Sequence, residues 1–526
     1  MCPLYKKKDK RQIVNYRPIT ILNSDYKIFT KALAVKLSKT VPTIIHENQA
    51  GFISGRSIFY QGKLTKLVVD YTEAIEENGV IVALDQEKAY DKITHDYLWQ
   101  TLAKYNLPGS FIATVKSLYE NAETRVMVNG VLSPPFKVSR GVRQGDPMSC
   151  LLFDIAIEPL ANMLRQSNLK GFEIPGVNDK LIITLFADDT TVFLSEYDKY
   201  IDLEAILNKW CIASGARFNV NKTEVIPVGN PLYRKEVIAT RRIHPSQEPL
   251  ANDIHIASDQ ESVRMLGAWI GNNIDQAIVW SPILDKIWNN LDRWSKSHPT
   301  LFGRRLIIQM VVGGMTQYLV KVQTMPKQVE DILEKTIRNF LWADKKPPVN
   351  MATLCLPVRQ GGVKLLDIKA RNKAIDIMWL KSYLDLSNKR PMWAYVADVL
   401  ISENISRVSG RVSSLAQINT YLQTWSPSLH SSSKLPKDIF QIMKTGQKFG
   451  VNFEALKLSK SLKEQLPAWY HLGANRQMLS LNNHKASKCL RENHLIRTVG
   501  GLVQVMKREQ CWKSDGAARN GPKQVY

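Results

Sequence analysis

Cysteine and long apolar stretches are both scarce in this chain. Its six cysteines are scattered over 526 residues and include no CxxC pair. This spacing excludes a disulfide framework and is typical of proteins from a reducing compartment. No uncharged apolar run reaches the roughly 18 residues that a membrane-spanning helix needs. The sequence therefore predicts a soluble, intracellular protein without disulfides.

Acidic residues are also few relative to basic ones. Lys and Arg together number 71 against 48 for Asp and Glu, which leaves a net charge of +23. Such an excess indicates a polyanionic partner, most often nucleic acid, although a protein bound to an acidic membrane surface would share it. The basic residues are spread over most of the chain, so we expect an extended contact track. The length favours about three structural parts, at roughly 100 to 200 residues each.

An acidic pair, Asp188-Asp189, stands between two apolar, β-branched runs, Leu181 to Leu185 and Thr190 to Leu194. This pattern predicts a hairpin with carboxylates at its tip. Neighbouring like charges repel unless a cation offsets them, and two divalent metal ions would do so. A solvated turn is the alternative, because Asp is common in turns.

A third carboxylate and an aromatic ring follow another strand. Val80 to Leu84 is a continuous apolar run that predicts a core strand ending at Asp85. In an antiparallel sheet Asp85 and Asp188 could be neighbours. When two nucleotides are joined, a 3′-hydroxyl attacks an α-phosphate and pyrophosphate leaves. Two Mg²⁺ ions about 3.5 to 4 Å apart between these carboxylates could activate that hydroxyl and stabilise the leaving pyrophosphate. Tyr90, five positions after Asp85, is large enough to fill the space of a ribose 2′-hydroxyl and so to select deoxynucleotides.

A glycine-punctuated basic loop runs from Arg140 to Pro147. Its backbone N–H groups and arginines would face an anion well, and the alternative is a simple lead into the next helix. Asp146 and Pro147 suit the N-cap and the first position of that helix.

Helical and hairpin patterns occupy much of the remaining chain. They predict a helix capped by Ser24 and ending at Pro42, helices over 59–76 and 201–214, and a hairpin joining 125–128 to 131–138 through Asn129-Gly130. From about Trp280 apolar residues recur at helical spacing, which predicts an all-helical part. We interpret its tryptophans, among them Trp288 and Trp294, as core residues rather than a platform for stacking bases.

Seven motifs occur in one order along the chain: NYRPI, LDQEKAYD, RGVRQGDPMS, FADD, NVNKTE, RMLGAWIG and RQGGVKLLDIKARNKA. In this order they resemble the reverse transcriptase of non-LTR retrotransposons, the LINE-type elements of eukaryotes, over roughly residues 4 to 400. The resemblance implies an α+β fold of the right-hand polymerase type, with fingers, a palm built on an antiparallel sheet, and a helical thumb. It assigns residues 1–275 to fingers and palm, 276–420 to the thumb, and 421–526 to a mostly helical, incomplete C-terminal region.

The resemblance also implies roles for individual residues. Asp85 and Asp188 match the two metal-binding aspartates, and Asp189 the third carboxylate of the site. The backbone carbonyl of Gln86 would bind a metal ion, and Tyr90 matches the steric gate, where other members often have Phe. Gln144 and Gly145 match the loop beside the template base and the incoming nucleotide, and Arg17 matches a residue near the triphosphate. Lys222 would protonate pyrophosphate, and Leu266-Gly267 matches the primer grip. The implied cofactor is a pair of Mg²⁺ ions. The implied partners are an RNA template, a DNA primer and dNTPs. The resemblance also implies that the protein acts in the nucleus.

Several alternatives to this interpretation remain. Viral RNA-directed RNA polymerases also use carboxylate-bound metal ions, but they normally have Gly-Asp-Asp and a polar residue at the position of Tyr90. Group II intron proteins and telomerases are closer, yet the long helical pattern over 301–374 favours the LINE type. The non-enzymatic alternative is a relic that only binds RNA. LINE-type elements usually carry an endonuclease domain before the fingers, whereas this chain starts about fourteen residues before NYRPI. We therefore expect a fragment, and Cys511-Trp512-Lys513 resembles the start of a Cys-rich linker.

Overall fold

The computed structural model describes residues 1–6, 9–387, 389–406, 412–430, 432–452 and 458–507. It divides the chain into two compact units, one formed by Met1–Thr65 and Ile75–Ile274 and the other by Lys66–Ala74 and Asp275–Tyr526. The division into fingers with palm, thumb and C-terminal region stays a prediction. The segment Cys511-Trp512-Lys513 lies outside the described residues.

The first unit combines short strands with helices. Its elements follow the chain in this order: β1 (Cys2–Tyr5), β2 (Tyr16–Ile19), α1 (Ser24–Ile44), α2 (Ile58–Ala74, counted with the second unit from Lys66 onward), β3 (Gly79–Leu84), α3 (Ala89–Lys92), α4 (His95–Lys104), α5 (Gly109–Glu120), β4 (Glu123–Thr124), β5 (Met127–Val128), β6 (Val131–Leu132), β7 (Phe136–Lys137), α6 (Ser149–Arg165), β8 (Ile183–Phe186), β9 (Asp189–Ser195), α7 (Tyr200–Ser214), β10 (Glu224–Val228), α8 (Pro231–Thr240), β11 (His255–Ile256), β12 (Val263–Met265) and β13 (Ala268–Ile270).

A five-stranded sheet lies at the centre of this unit, in the order β11-β10-β3-β9-β8. β3 pairs antiparallel with β9 and β10, while β10 and β11 run parallel, so the sheet is mixed. Because β3 has a neighbour on each edge and is almost entirely buried, its apolar run is the core strand that the sequence predicts. The mostly buried α6 packs against β8, α1, α4 and α7 and forms much of the core.

Two tight turns are defined by their backbone angles, and the first is the hairpin turn that the sequence predicts. Asn129 and Gly130, with φ of 48° and 82°, connect β5 to β6. Leu266 and Gly267, with φ of 48° and 76°, connect β12 to β13. Two consecutive residues with positive φ make the turn whose twist matches that of the flanking strands.

Prolines change two of the predicted boundaries. The strand expected over 131–138 is split into β6 and β7, because Pro134 and Pro135 have no N–H to donate to a ladder. The helix expected to end at Pro42 continues to Ile44, since a proline in the last turn removes a single intrahelical hydrogen bond. That helix begins at Ser24, with Asn23 rather than Ser24 in the N-cap position.

The second unit is helical in the part of the chain that the structure describes. Besides the end of α2, it contains α9 (Gln276–Ser295), α10 (Leu301–Ile308), a π-helical turn (Gln309–Gly313), α11 (Gly314–Val322), α12 (Lys327–Trp342), α13 (Met351–Cys355), α14 (Ile368–Tyr383), α15 (Met392–Ser402), α16 (Lys437–Lys448), α17 (Lys460–Gln465), α18 (Arg476–Leu481), α19 (Lys485–Glu492) and α20 (Val499–Lys507). Across the described residues of both units, every helix is either too short or too polar to cross a bilayer.

The predicted apolar stripe of α9 is buried, but two of its tryptophans are not core residues. Leu284, Ile287 and Leu291 are buried, as the helical spacing predicts. Trp288 and Trp294 are 43% and 41% exposed, so their assignment to the core is wrong. Trp288 lies beside the stripe and its indole N–H donates to a threonine hydroxyl on α12, whereas Trp294 lies in the last turn of its helix.

The end of α2 joins the second unit through a buried ion pair. Lys66 Nζ lies 2.9 Å from Asp438 Oδ1 on α16. The hydroxyl of Thr324 donates to the same carboxylate. Only 4% of Asp438 is exposed, and a buried carboxylate requires such partners to remain charged.

Candidate active site

Three carboxylates meet at one end of the central sheet. β8 and β9 are paired up to Asp189, so Ala187-Asp188 forms the turn of a hairpin, as the sequence predicts. β3 is paired with β9 up to Leu84, which lies opposite Thr190. The next residue, Asp85, therefore stands at the same end of the sheet as the turn. The structure thus brings together the acidic residues that the sequence singles out.

These carboxylates repel one another. Burial raises the pKa of Asp188 and the charge of Asp85 raises it further, whereas Lys6 and Arg17 lower it. Burial, followed by the charges of Asp188 and Asp85, raises the pKa of Asp189 to about 6, although this side chain keeps a solvent-exposed side. An excess of negative charge of this kind favours the binding of a cation.

Two cationic side chains near the carboxylates come from the N-terminal segment. Arg17 lies on β2, and its charge lowers the pKa of Asp188; its place near a triphosphate stays a prediction. Lys6 follows β1 and acts on both Asp188 and Asp189. The sequence motifs do not single out Lys6, and the basic residues over 6–11 were the available signal.

Lys222 and Gln86 also contact this cluster. Lys222 Nζ lies 2.8 Å from Asp85 Oδ2, and both groups keep access to solvent. The Gln86 side-chain amide donates to the backbone carbonyl of Asp188 at 3.4 Å. Gln86 lies opposite Phe218, and the backbone hydrogen bonds between the two segments are made by the residues on either side of this pair. Its own carbonyl therefore points away from Phe218, towards β9, where a metal ligand is predicted.

The side-chain donors at this sheet end are carboxylate oxygens, a ligand type that Mg²⁺ accepts. This ion prefers oxygen ligands and is usually held by one or two carboxylates, waters and substrate phosphates rather than by a cage of protein side chains. Among the described residues, no group of three or more His, Cys, Asp or Glu side chains converges into such a cage. The ammonium of Lys222 stands against Asp85 and offsets one negative charge. The carboxylates thus provide an oxygen-only set suited to ions that arrive with a phosphate-bearing substrate.

Tyr90 lies against α6 and the loop before it. Its ring stacks on Phe153, with centroids 4.7 Å apart and planes 13° from parallel. Its backbone carbonyl accepts from the N–H of Val142 at 2.7 Å. Burial chiefly raises the pKa of Tyr90, and the charge of Asp188 adds to the increase. The charge of Asp188 thus reaches the Tyr90 hydroxyl, and the role of this ring as a steric gate stays a prediction.

The loop with Gln144 and Gly145 is tied to the segment after β2. The N–H of Thr20 donates to the carbonyl of Gln144 at 2.8 Å. Gly145 has a φ of 117°, and a Cβ there would meet the carbonyl oxygen of Thr20 at 2.6 Å. The close approach therefore requires glycine. The contact of this loop with a template base, like the primer-grip role of Leu266-Gly267, stays a prediction.

Two other residues of this loop serve its structure. Arg143, expected to face an anion, donates instead to the hydroxyl of Tyr26 and to the carbonyl of Leu118. Asp146 is not the N-cap of α6, a position taken by Met148. The Asp146 carboxylate accepts from the N–H of Met148 at 3.0 Å and so closes a turn before the helix.

Asp154 is a buried acid that the sequence motifs do not single out. It lies on α6 with no exposed surface, and neither carboxylate oxygen has a hydrogen-bond partner among the described residues. Burial raises its pKa well above the usual value, Arg56 opposes the increase, and Glu158 and Asp188 add to it. An Asp within the otherwise apolar stretch 151–157 was the available signal. This environment favours the protonated form.

The variant Asp154→Asn should therefore be more stable than the wild type, by a margin that grows with pH. The unfolded chain releases the Asp154 proton near pH 3.9, about the ordinary pKa, whereas the folded protein retains it to higher pH. Wild-type stability falls as pH rises between these two pKa values. Asn has no such proton, so its advantage should widen by up to about 1.4 kcal/mol per pH unit within that interval.

Urea denaturation between about pH 5 and 8, followed by tryptophan fluorescence, measures this difference. Asp253→Asn is the matched control, because Asp253 is exposed and lies outside the core. It should show no widening gap. A stability difference for Asp154→Asn that does not depend on pH would contradict the assignment of a retained proton.

Comparison with protein families provides an independent observation. Residues 5–270 match the family model described as "Reverse transcriptase (RNA-dependent DNA polymerase)". This span is just over half of the chain. It contains the carboxylates at the sheet end, Tyr90, the loop with Gln144, Lys222 and the turn at Leu266-Gly267.

Curated relatives come from transposable elements. The "Transposon TX1 uncharacterized 149 kDa protein" of Xenopus laevis is 26% identical over 399 residues, which cover 75% of this chain and 29% of that protein. The "Retrovirus-related Pol polyprotein from type-2 retrotransposable element R2DM" of Drosophila melanogaster is 25% identical over 234 residues, 44% of this chain and 21% of that protein. The "Probable RNA-directed DNA polymerase from transposon BS" of Drosophila melanogaster is 27% identical over 331 residues, 59% of this chain and 33% of that protein.

The chain therefore spans about a third or less of the length of these relatives. Among solved structures, "Structure of telomerase from Candida albicans in complexe with TWJ fragment of telomeric RNA" matches at 15% identity with a TM-score of 0.33. That match covers 75% of this chain and 66% of the telomerase chain.

Proposed function

Since the chain belongs to the reverse transcriptase (RNA-dependent DNA polymerase) family, we propose that it extends the 3′-hydroxyl of a DNA primer with dNTPs along an RNA template. We further propose a two-metal mechanism and a role in non-LTR retrotransposition. The observation that carries the proposal is the meeting of Asp85, Asp188 and Asp189 at one end of the sheet. The resemblance to non-LTR elements implies copying into chromosomal DNA, so the proposed synthesis would take place in the nucleus.

Each residue at the sheet end has one task in this proposal. Asp85 and Asp188 supply carboxylate ligands, Asp189 adds a third negative charge, and Gln86 offers a backbone carbonyl. Two Mg²⁺ ions held by these groups would activate the attacking oxygen and stabilise the leaving one. Lys222, whose ammonium lies beside Asp85, holds a proton that the leaving pyrophosphate can accept.

Primer extension tests the proposal directly. The purified chain is given an RNA template annealed to a DNA primer, together with dNTPs and Mg²⁺, and the products are sized. Extension that follows the template, and that is lost in the double variant Asp188→Ala, Asp189→Ala, is the expected result. A chain that binds the RNA but extends nothing would instead be the RNA-binding relic.

Binding of the primer–template duplex should weaken steeply with salt. Each phosphate that the protein neutralises contributes about −0.7 to −0.9 to the slope of log K against log salt concentration. With a net charge of +23, six to ten such contacts would lower affinity about 10³- to 10⁵-fold between roughly 50 and 200 mM salt. Fluorescence anisotropy over a salt series gives the slope. A nearly flat line would show that the positive charge does not carry the binding.

A further inference from the structure

The segment over 48–51 lies beside β8 and reaches the turn of the carboxylate hairpin. The N–H of Leu185 donates to the carbonyl of Asn48, and the N–H of Ala50 donates to the carbonyl of Leu185, both at 2.8 Å. Gln49 is thereby paired with Leu185 in a parallel bridge. Because the two segments run in the same direction, the end of this segment lies next to the turn that follows β8.

The side chain of Gln49 holds the first residue of that turn. Its Oε1 atom accepts from the N–H of Ala187 at 2.9 Å and from the N–H of Gly51 at 2.7 Å. Its Nε2 atom donates to the carbonyl of Ala187 at 3.4 Å. Gln49 has no exposed surface and Ala187 is 3% exposed, so water does not compete for these groups. One buried amide therefore contacts both backbone polar groups of Ala187.

The conformation of Ala187 requires support from outside the hairpin. Its φ is 53°, in the left-handed region that favours glycine over residues with a Cβ. Gly51 approaches so closely that a Cβ there would meet the backbone nitrogen of Ala187 at 2.4 Å. The turn is thus fixed by the segment beside it rather than by its own conformational preference.

We infer that Gln49 is a positioning residue, which fixes the two carboxylates of the turn by holding Ala187. These acids, Asp188 and Asp189, follow Ala187 directly, so their place relative to Asp85 depends on its backbone. The inference rests on the proposed polymerase function, in which the three carboxylates bind metal ions. A misplacement of about 1 Å can lower a rate about a hundredfold. Freeing the turn should therefore slow the reaction and leave the binding of primer and template nearly unchanged.

Gln61, on α2, offers a matched control. It is also a buried glutamine, and its Nε2 atom donates to the carbonyls of Asn48 and Leu185, both at 2.7 Å. Each of these carbonyls also accepts from a backbone N–H of the paired segment. The variant Gln61→Met therefore removes hydrogen bonds beside the same strand without releasing the turn.

Steady-state extension by one nucleotide is the first measurement. Gln49→Met keeps the length of the side chain and removes both the acceptor and the donor. Its kcat should fall about 10- to 100-fold, whereas KM for the dNTP and Kd for the primer–template should each change less than about threefold. Gln49→Asn keeps a buried amide but is one methylene too short to reach Ala187, so it should show the same loss with less disturbance of packing. Gln61→Met should retain most of the wild-type kcat.

Hydrogen exchange, measured by peptide mass spectrometry, gives a readout that needs neither nucleotide nor metal. In Gln49→Met the N–H of Ala187 has lost its acceptor, so its exchange should become about fivefold faster. The amides of β9 that pair with β3 lie outside this contact and should keep their wild-type rates. Faster exchange throughout β9 would show that the substitution loosens the sheet, which would contradict a role confined to the turn.

The outcomes distinguish this inference from the function on which it rests. If wild type extends primers and both Gln49 variants keep the wild-type kcat, the positioning role is wrong and the polymerase proposal stands. The same conclusion follows if Gln61→Met loses as much kcat as Gln49→Met, because the loss would then come from packing beside β8. If wild type extends no primer, both proposals fail.

Discussion

Replacing Asp188 with alanine should abolish primer extension and leave RNA binding nearly unchanged. Asp188 forms the hairpin turn at the end of the sheet, beside Asp85 and Asp189. If these carboxylates bind the two metal ions, removing one withdraws several kcal/mol of stabilisation from the reacting oxygens. At about 1.4 kcal/mol per factor of ten, the rate should fall at least about a thousandfold. Single-turnover extension and anisotropy with labelled RNA measure the two properties separately.

Asp202→Ala is the matched control for this variant. Asp202 is exposed on α7, which follows the far end of β9, so it lies outside the carboxylate cluster. Its loss should leave the rate within about twofold of wild type, as for most surface substitutions. A primer-extension rate for Asp188→Ala within tenfold of the wild-type rate would contradict the two-metal assignment. Equal loss of RNA binding would instead indicate that the substitution disrupts the fold.

Tyr90→Val should raise ribonucleotide incorporation much more than it lowers the use of deoxynucleotides. Valine removes the ring that stacks on Phe153 and leaves space beside the carboxylates. Because the wild-type side chain rejects the 2′-hydroxyl by bulk, the rNTP-to-dNTP ratio of kcat/KM should rise by on the order of tenfold or more. Competition between labelled rNTP and dNTP on one template gives the ratio directly.

Tyr90→Phe is the control for this second variant. It keeps the bulk of the ring and loses only the hydroxyl group, so its ratio should rise far less than that of Tyr90→Val. A Tyr90→Val protein that loses the use of both nucleotides equally would show that the ring only packs the core. Its thermal unfolding midpoint, compared with that of Tyr90→Phe, would reveal such a loss of packing.

The parts of the site that could be predicted are those that local pattern determines. Apolar runs bounded by acids predict β3 and the hairpin of β8 and β9, because a buried strand must be apolar whatever its partners are. Asn129-Gly130 predicts the tight turn between β5 and β6, because both residue types readily take positive φ. The motif order predicts the right-hand polymerase fold and the reverse transcriptase family, and both are confirmed by the family match.

The parts that could not be predicted depend on partners far away in the sequence. Arg143 resembles an anion-binding residue until the structure shows two of its nitrogens donating to Tyr26 and Leu118. Asp154 stands out in the sequence only as an acid in an apolar stretch, and its lack of hydrogen-bond partners is a property of packing. Lys6 is one of many lysines until the fold brings its charge to Asp188.

The ion pair between Lys66 and Asp438 has a consequence for how the protein folds during its synthesis. The two residues are 372 positions apart, and a ribosome adding about 5 to 20 residues per second needs roughly 20 to 75 s to pass from one to the other. During that time residues 66–74 have emerged without the rest of their unit. A fragment that begins at Asp275 would never receive Lys66, and the loss of one partner from a buried pair costs about 3 to 5 kcal/mol. The helical unit should therefore fold poorly when expressed alone from residue 275, and well when residues 66–74 are supplied with it.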